Sequence, residues 1–585
     1  MTTLGEGAKQ IKAYRGIVRV NDSDVILDAG GVEIRLEGDR EKFVPLNGLF
    51  TTVNGVQEGD TIRNAAPALQ PEAAAAEASG AELFEPVIAA IKANAPALLE
   101  IPGVFGVRPG FRTLNGELTQ EPAIIVITKP GEKVGPVPPS VGSIPVEQRT
   151  ASAQEMVEGL APLSAWEGVV TEAVPQIAYT PPDPPPALVD AQVHNITCHV
   201  GPDSGWTTLK PFLDGTTTSL TVAMYEFYAD HIVDTVTRLG EESGANLNMI
   251  LQVSSNDKNI EDTLSDSWGN RLEFTRASVS GPGRVFNNSY HTKVAVRDSN
   301  AFWLSSGNWS PNSQPLIEPG SEQTLYSKGN REWHVIIEDE PLAKMYEQFI
   351  EHDVKQAREA GAPEAAPIMP DLLIPESMLV PEAAVVQDHP FEARTFATSG
   401  NPVRVKPLMS PDNYAPEIAT LIQGAESTLY LQFSYIRQPS NEKFDDIITA
   451  IADKMNDGLD VRVLVGSSQN PEHSDLLIGR RGWKRSMFRG QRSKVHNKGI
   501  LIDGKIAVVG SNNWSSDGTQ YNRDTSLVFF SRPIAQYFTE VFMFDWDNLS
   551  KSIGSAPEVA PVLAPESGPT PLGMVRIPWQ AWFDE

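Results

Sequence analysis

Apolar and polar positions alternate over residues 12 to 65 in short runs, "GIVRV", "DVILDA" and "VEIRLEG", broken by Asn, Asp and Gly. That pattern predicts a small β-rich unit. The Ala- and Glu-rich stretch from 64 to 99 predicts a linker running into a helix. After it, "IPGVFGVRPGFRTLNGELTQEPAIIVITKPG" predicts strands joined by a glycine-rich loop and an Asn-Gly turn. The proline cluster "YTPPDPPPALVD" at 179–190 should be extended and semi-rigid, and it marks a boundary.

Past that boundary the pattern repeats. "GPDSGWTTLKPFLDGTTTSLTVAMYEF" from 201 and "SPDNYAPEIATLIQGAESTLYLQFSYI" from 410 align without a gap at a shift of 209 residues, matching Pro202-Asp203 to Pro411-Asp412, Gly215 to Gly424 and Leu220 to Leu429. Each half reads as helix, strand, helix, strand and then an apolar hairpin, so a duplicated α/β unit is the economical explanation. The expected organisation is a small β-rich domain at 1–66, a mixed α/β domain at 83–178, a first lobe at 190–355, a Pro/Ala/Glu-rich connector at 356–395, a second lobe at 396–550 and a tail at 551–585.

Composition narrows the classes. At 585 residues the chain is too long for one core, and about three to five domains are expected. Its single cysteine, Cys198, excludes a disulfide framework within the chain and any multi-cysteine zinc site. The N-terminus has no apolar segment of signal-peptide length, and no run of about 18 apolar residues occurs. The expectation is a soluble, cytoplasmic protein without a transmembrane anchor, with export by a route lacking a cleavable signal as the alternative. A net charge of −28 opposes non-specific polyanion binding. Against that average, "GRRGWKRSMFRGQRSK" at 479–494 carries seven basic residues and no acid.

The chemistry lies in the two hairpins. "HTKVAVRDSNAFWLSSGNWS" at 291–310 and "HNKGILIDGKIAVVGSNNWS" at 496–515 share their internal spacings. Strand alternation puts His291 and Lys293 on one face, and His496 and Lys498 likewise. Asp298 and Asp503 fall at the hairpin turns and read as structural. The returning strands bring Asn308 and Asn513 back beside the histidines. Farther on, "NRE" at 330–332 and "NRD" at 522–524 supply Glu332 and Asp524, read as orienting partners for the imidazole of their own half. His291 to Glu332 is 41 residues and His496 to Asp524 is 28, so the first half holds an insertion of about 13, placed in "PNSQPLIEPGSEQ". Such a set suits a phosphodiester: imidazoles attack phosphorus and protonate the leaving oxygen, while lysines and amides stabilise developing charge. The pattern calls for no cofactor and no metal.

"HTKVAVRD" and "HNKGILID" are two complete H-x-K-x4-D motifs, and with the downstream asparagines they resemble the phospholipase D superfamily over residues about 195 to 550. The resemblance implies duplicated phospholipase D-like α/β sandwich lobes with pseudo-twofold symmetry and one shared site. It also implies a phosphohistidine intermediate, with His291 as nucleophile and His496 as acid by analogy. A headgroup phosphodiester of a glycerophospholipid is the expected substrate, hydrolysed or transferred, with only transient contact at a membrane surface. A nuclease is the alternative, in which Arg480, Arg481, Lys484 and Arg485, with Trp483 and Phe488 interleaved, hold a strand. An inactive binding or scaffold protein is the third reading. Trp309 and Trp514 read as core anchors with cleft lining as the second option. His194, His199, His231, His334, His352, His389 and His473 have no repeated partner and read as structural or exposed, and the "NWS" sequons at 308 and 513 as chance matches.

Overall fold

The alternating N-terminal runs close into a barrel in a computed structural model of the chain. The structure describes residues 12–21, 24–29, 32–38, 40, 43, 50–58, 61–67, 81–114, 117–170, 174–186, 188–252, 259–317, 329–361, 369–375, 391–397, 400–491, 494–553, 561–565, 568–579 and 582. The expected turn at Asn115-Gly116, the linker over 68–80, His389 and residues 362–368 and 376–390 of the connector lie outside them.

In the barrel, Lys12–Val20, Val25–Ala29, Val32–Gly38, Thr61–Pro67 and Phe50–Glu58 are neighbours in that order, and the last pairs back onto the first. Val32–Gly38 and Thr61–Pro67 run parallel. Closure leaves no free sheet edge. Val18, Val25, Leu27, Ile34, Leu36, Phe43, Val53 and Ile62 fill the interior. The barrel belongs to one unit, Met1–Glu77, and the rest of the chain, Ala78–Glu585, forms a second.

Within the second unit each repeat builds a mixed sheet. In the first lobe the order is Leu272–Arg276, Asn246–Leu251, Ser219–Met224, Val294–Arg297, Ala301–Ser305, Glu332–Glu338, Asn195–Gly201 and Arg394–Ala397. In the second it is Ser550–Ser552, Phe488–Gln491, Asp460–Val465, Thr428–Phe433, Lys498–Ile502, Ile506–Gly510, Asp524–Phe530, Val403–Ser410 and Ala191–Val193. The two orders match strand for strand once Ser550–Ser552 is set aside, so the duplicated α/β fold expected from the repeat is present. Each central strand is buried on both faces because helices cover one side and the other sheet the other. The outer layers include Asp230–Glu242 and Glu340–Ala360 on the first lobe and Glu442–Asn456 and Arg532–Phe544 on the second.

The lobes exchange edges. Ala191–Val193 pairs with Val403–Ser410 of the second lobe, and Arg394–Ala397 with Asn195–Gly201 of the first. Each edge strand therefore comes from the segment leading into the opposite lobe. Where the sheets meet, a Cβ on Gly499 would lie 2.3 Å from the Trp333 ring, so only glycine allows that approach.

The segment ahead of the lobes is welded to the second one. Its sheet of Val104–Leu114, Glu117–Thr128, Ile144–Thr150 and Ser140–Val141 carries the helix Glu85–Leu99. Phe84, Val87, Phe111 and Trp166 share one core with Phe444, Leu476 and Trp483. Buried Arg108 bonds Asp475 at 2.9 Å, with Glu155 and Glu472 at 3.8 and 3.9 Å. At the other end of the chain, Val562–Leu563 and Met574–Ile577 flank Leu372–Pro375 of the connector. Among the described residues no helix is long and apolar enough to cross a membrane.

Candidate active site

Each histidine enters the site on a short backbone bridge to the opposite lobe. His291 N donates to Arg523 O at 2.7 Å and Arg523 N to Ser289 O at 3.0 Å. In the mirrored place His496 N donates to Arg331 O at 3.1 Å and Arg331 N to Lys494 O at 2.8 Å. Because the bridges tie each histidine to the residue just before the other lobe's carboxylate, the pairs form across the seam. His291 Nδ1 is 2.7 Å from Asp524 Oδ1, and His496 Nδ1 is 2.8 Å from Glu332 Oε1. This corrects the expectation that each imidazole is oriented by the acid of its own half. The carboxylates do sit behind the histidines, but the sheets stack face to face and each carboxylate strand ends against the neighbouring lobe.

The rings of His291 and His496 face one another with centroids 6.4 Å apart. A carboxylate at Nδ1 fixes that nitrogen as a donor and leaves Nε2 as the reactive one. The 6.4 Å between ring centres is comparable to two near-attack approaches of ~3–3.5 Å to one phosphorus. Serines hold the carboxylates in turn: Ser511 Oγ donates to Asp524 at 2.7 Å, and Ser306 Oγ and Ser313 Oγ to Glu332 at 2.6 and 2.9 Å. Burial works to raise the pKa of Glu332, but His496, Lys498 and the Ser306 hydroxyl outweigh it and hold the carboxyl below its ordinary value. The group behind His496 is therefore an anion.

Lys293 and Lys498 reach the same centre. Their ammonium groups donate to the carbonyls of His291 and His496 at 2.8 and 2.7 Å, and Lys293 Nζ stands 5.0 Å above the Tyr225 ring. The same ring meets His291 edge-on at 4.9 Å. The asparagines differ: Asn308 donates to Glu226 at 3.2 Å, while the Asn513 carbonyl oxygen lies 3.4 Å from the Ser434 hydroxyl. All eight residues expected at the site are at most 8 % exposed, and His496 is the most open. Such enclosure strengthens each charge interaction. Among the described residues no three His, Cys, Asp or Glu side chains group as metal ligands.

Asp298 and Asp503 stand at the far end of the hairpins with φ of 52° and 54°. Each gathers three backbone N–H groups, of Thr217, Thr218 and Ser219 or of Glu426, Ser427 and Thr428. They pin the loop that leads into each central strand.

Two groups of expected substrate contacts lie elsewhere. Trp309 and Trp514 are fully buried, the first edge-on to Phe227 and the second stacked on Phe433 at 4.1 Å. They anchor the cores because the chain turns inward right after the asparagines. The basic run is spent on packing: Arg480 donates to Glu167 O, Arg481 pairs with Asp445, Lys484 donates to Met455 O and Arg485 to Thr119 O. Trp483 and Phe488 are fully buried in the core. Arg480 and Arg485 tie the preceding segment to the second lobe, while Arg481 and Lys484 bond within that lobe.

Sequence reasoning passed over Arg331 and Arg523, the middle residues of "NRE" and "NRD". Both are fully buried. Their recurrence at equivalent places in the two halves was the available signal.

A family model described as cardiolipin synthase, phospholipase D-like domain, matches residues 209–354 and 418–546, one segment in each lobe. Phosphatidylserine synthase from Haemophilus influenzae Rd KW20 is similar at 12% identity over 62% of this chain and 89% of that one, with a TM-score of 0.43. Nuc, a phospholipase D family member from Salmonella typhimurium, is similar at 16% identity over 26% of this chain and 97% of that one, with a TM-score of 0.21. For polyphosphate kinase from Porphyromonas gingivalis the values are 10%, 73% and 59%, with a TM-score of 0.37. No curated protein sequence matches. The two matched segments, with the paired motifs they contain, support membership of the phospholipase D superfamily.

Proposed function

We propose that the protein is a phosphodiesterase of the phospholipase D type that hydrolyses or transfers the headgroup phosphodiester of glycerophospholipids. One imidazole Nε2 attacks phosphorus, the P–O bond to the leaving group breaks, and the other imidazolium gives the leaving oxygen its proton. Water or an alcohol, deprotonated by that second imidazole, then attacks the phosphohistidine and frees the first. By analogy His291 is the nucleophile and His496 the acid. Lys293, Lys498, Asn308 and Asn513 stabilise charge on the non-bridging oxygens. The observation that carries the reading is the facing pair of imidazoles, each backed by a carboxylate.

The burial of Trp483 and Phe488, which leaves no stacking platform at those two residues, weighs against a strand-binding nuclease. A complete set of histidines, lysines and carboxylates in both lobes weighs against an inactive scaffold.

The test offers purified protein phosphatidylcholine vesicles and single-stranded DNA side by side, in excess chelator, and measures released headgroup and cut strand. Headgroup release without strand cleavage is expected. Cleavage of DNA alone, or turnover that returns only on adding a divalent metal, would overturn the lipid reading or the metal-free mechanism respectively.

A further inference from the structure

The seam between the lobes holds two buried guanidinium clusters in mirrored places. Arg523 of the second lobe forms a two-point bond to Asp353 of the first lobe, Nε to Oδ2 at 2.8 Å and Nη2 to Oδ1 at 3.0 Å. Its remaining nitrogen reaches Asp412 of its own lobe at 2.7 Å. Arg331 of the first lobe repeats the pattern with Asp545 of the second, at 2.8 and 3.0 Å, and with Asp203 of its own at 2.7 Å. Asp203 and Asp412 are equivalent in the repeat. Two independent copies of one three-point clamp argue for a shared task.

That task follows from where the clamps sit. Each arginine immediately precedes a carboxylate that must meet the other lobe's histidine, and its backbone forms the bridge that carries that histidine. A planar fork fixed at both ends sets position and rotation together, which a flexible ammonium cannot do. Resting on the phosphodiesterase reading above, we infer that Arg331 and Arg523 are positioning residues: they set the alignment of Glu332 with His496 and of Asp524 with His291, and so couple docking of the lobes to assembly of the site.

Arg523→Lys keeps the charge and loses the fork. It is expected to lower kcat at least tenfold on bis(p-nitrophenyl) phosphate with KM changed less than about threefold. A double-mutant cycle separates positioning from general loosening. If Arg523 acts through Asp524, adding Arg523→Lys to Asp524→Asn costs little more, whereas adding it to Glu332→Gln costs its full factor. Additive losses with both carboxylate variants, or unchanged kcat in Arg523→Lys, would overturn the inference. A readout without turnover is the far-downfield proton resonance of the His291 Nδ1–H against Asp524. It should be present in the unaltered protein and be shifted upfield or lost in Arg523→Lys, both read well below the thermal midpoint of the variant. A resonance identical in both proteins counts against positioning. A protein that cleaves no diester at all instead refutes the phosphodiesterase reading, and the resonance still decides on the clamp. Arg331→Lys provides the mirrored experiment.

Discussion

Burial divides the histidines into two chemical kinds. His291 and His496 each have an anion at Nδ1, whereas His199 and His334, both buried, and His473, half-buried, have none. Burial pushes His199 and His473 down to about 3, and His334 well below its ordinary value. All three are therefore neutral in the folded chain at pH values where the unfolded chain is protonated. Unfolded histidine titrates near 6.5, so below that pH the unfolded state binds protons that the folded state refuses, and stability falls as pH falls. Glu332 has a depressed folded-state pKa, so its contribution is intact until the pH drops below the ordinary carboxylate range. Urea unfolding at pH 7 and pH 5 should thus show a loss of up to about 2 kcal/mol for each of the three histidines. An unchanged midpoint across that window would mean that they are hydrated or paired.

At this scale the eight expected site residues were legible because each type recurs at fixed spacing. Which acid serves which imidazole was not. Spacing along one chain orders residues within a half, while the pairing depends on how the two sheets stack. Arg331 and Arg523 escaped for a different reason: an arginine beside a carboxylate reads as a surface pair, and only burial reveals a clamp.

Among the elements, the strands and helices of the lobes follow the apolar period closely, since the central strands are covered on both faces. The exchanged edges at Ala191–Val193 and Arg394–Ala397 are three and four residues long, too short for periodicity to flag. The basic run misled because a row of like charges looks the same whether it faces solvent or is consumed by carbonyls and Asp445. Gly499 tests the contact between sheets. Its Cβ would strike the Trp333 ring, so Gly499→Val should lower stability by about 1–3 kcal/mol through overpacking. The urea midpoint reads this directly. A neutral result would show that the Trp333 ring moves aside and that the sheets tolerate a wider gap.

For the molecule as a whole, the crossed pairs make one site out of two lobes. Neither half contains a histidine together with the carboxylate that orients it, so the site exists only when the lobes are docked. The preceding sheet and helix share the second lobe's core, which gives that lobe a continuous support. The central claim is that both imidazoles act on a single phosphorus atom. Rapid quenching of a reaction on a diester labelled at phosphorus, followed by peptide mapping, tests it most directly. The account predicts one acid-labile phosphoryl group per chain, carried by His291 and absent from His291→Ala, with its turnover slowed in His496→Ala. Two phosphoryl groups per chain, one on each histidine, would contradict it, as would full turnover in His291→Ala with none trapped.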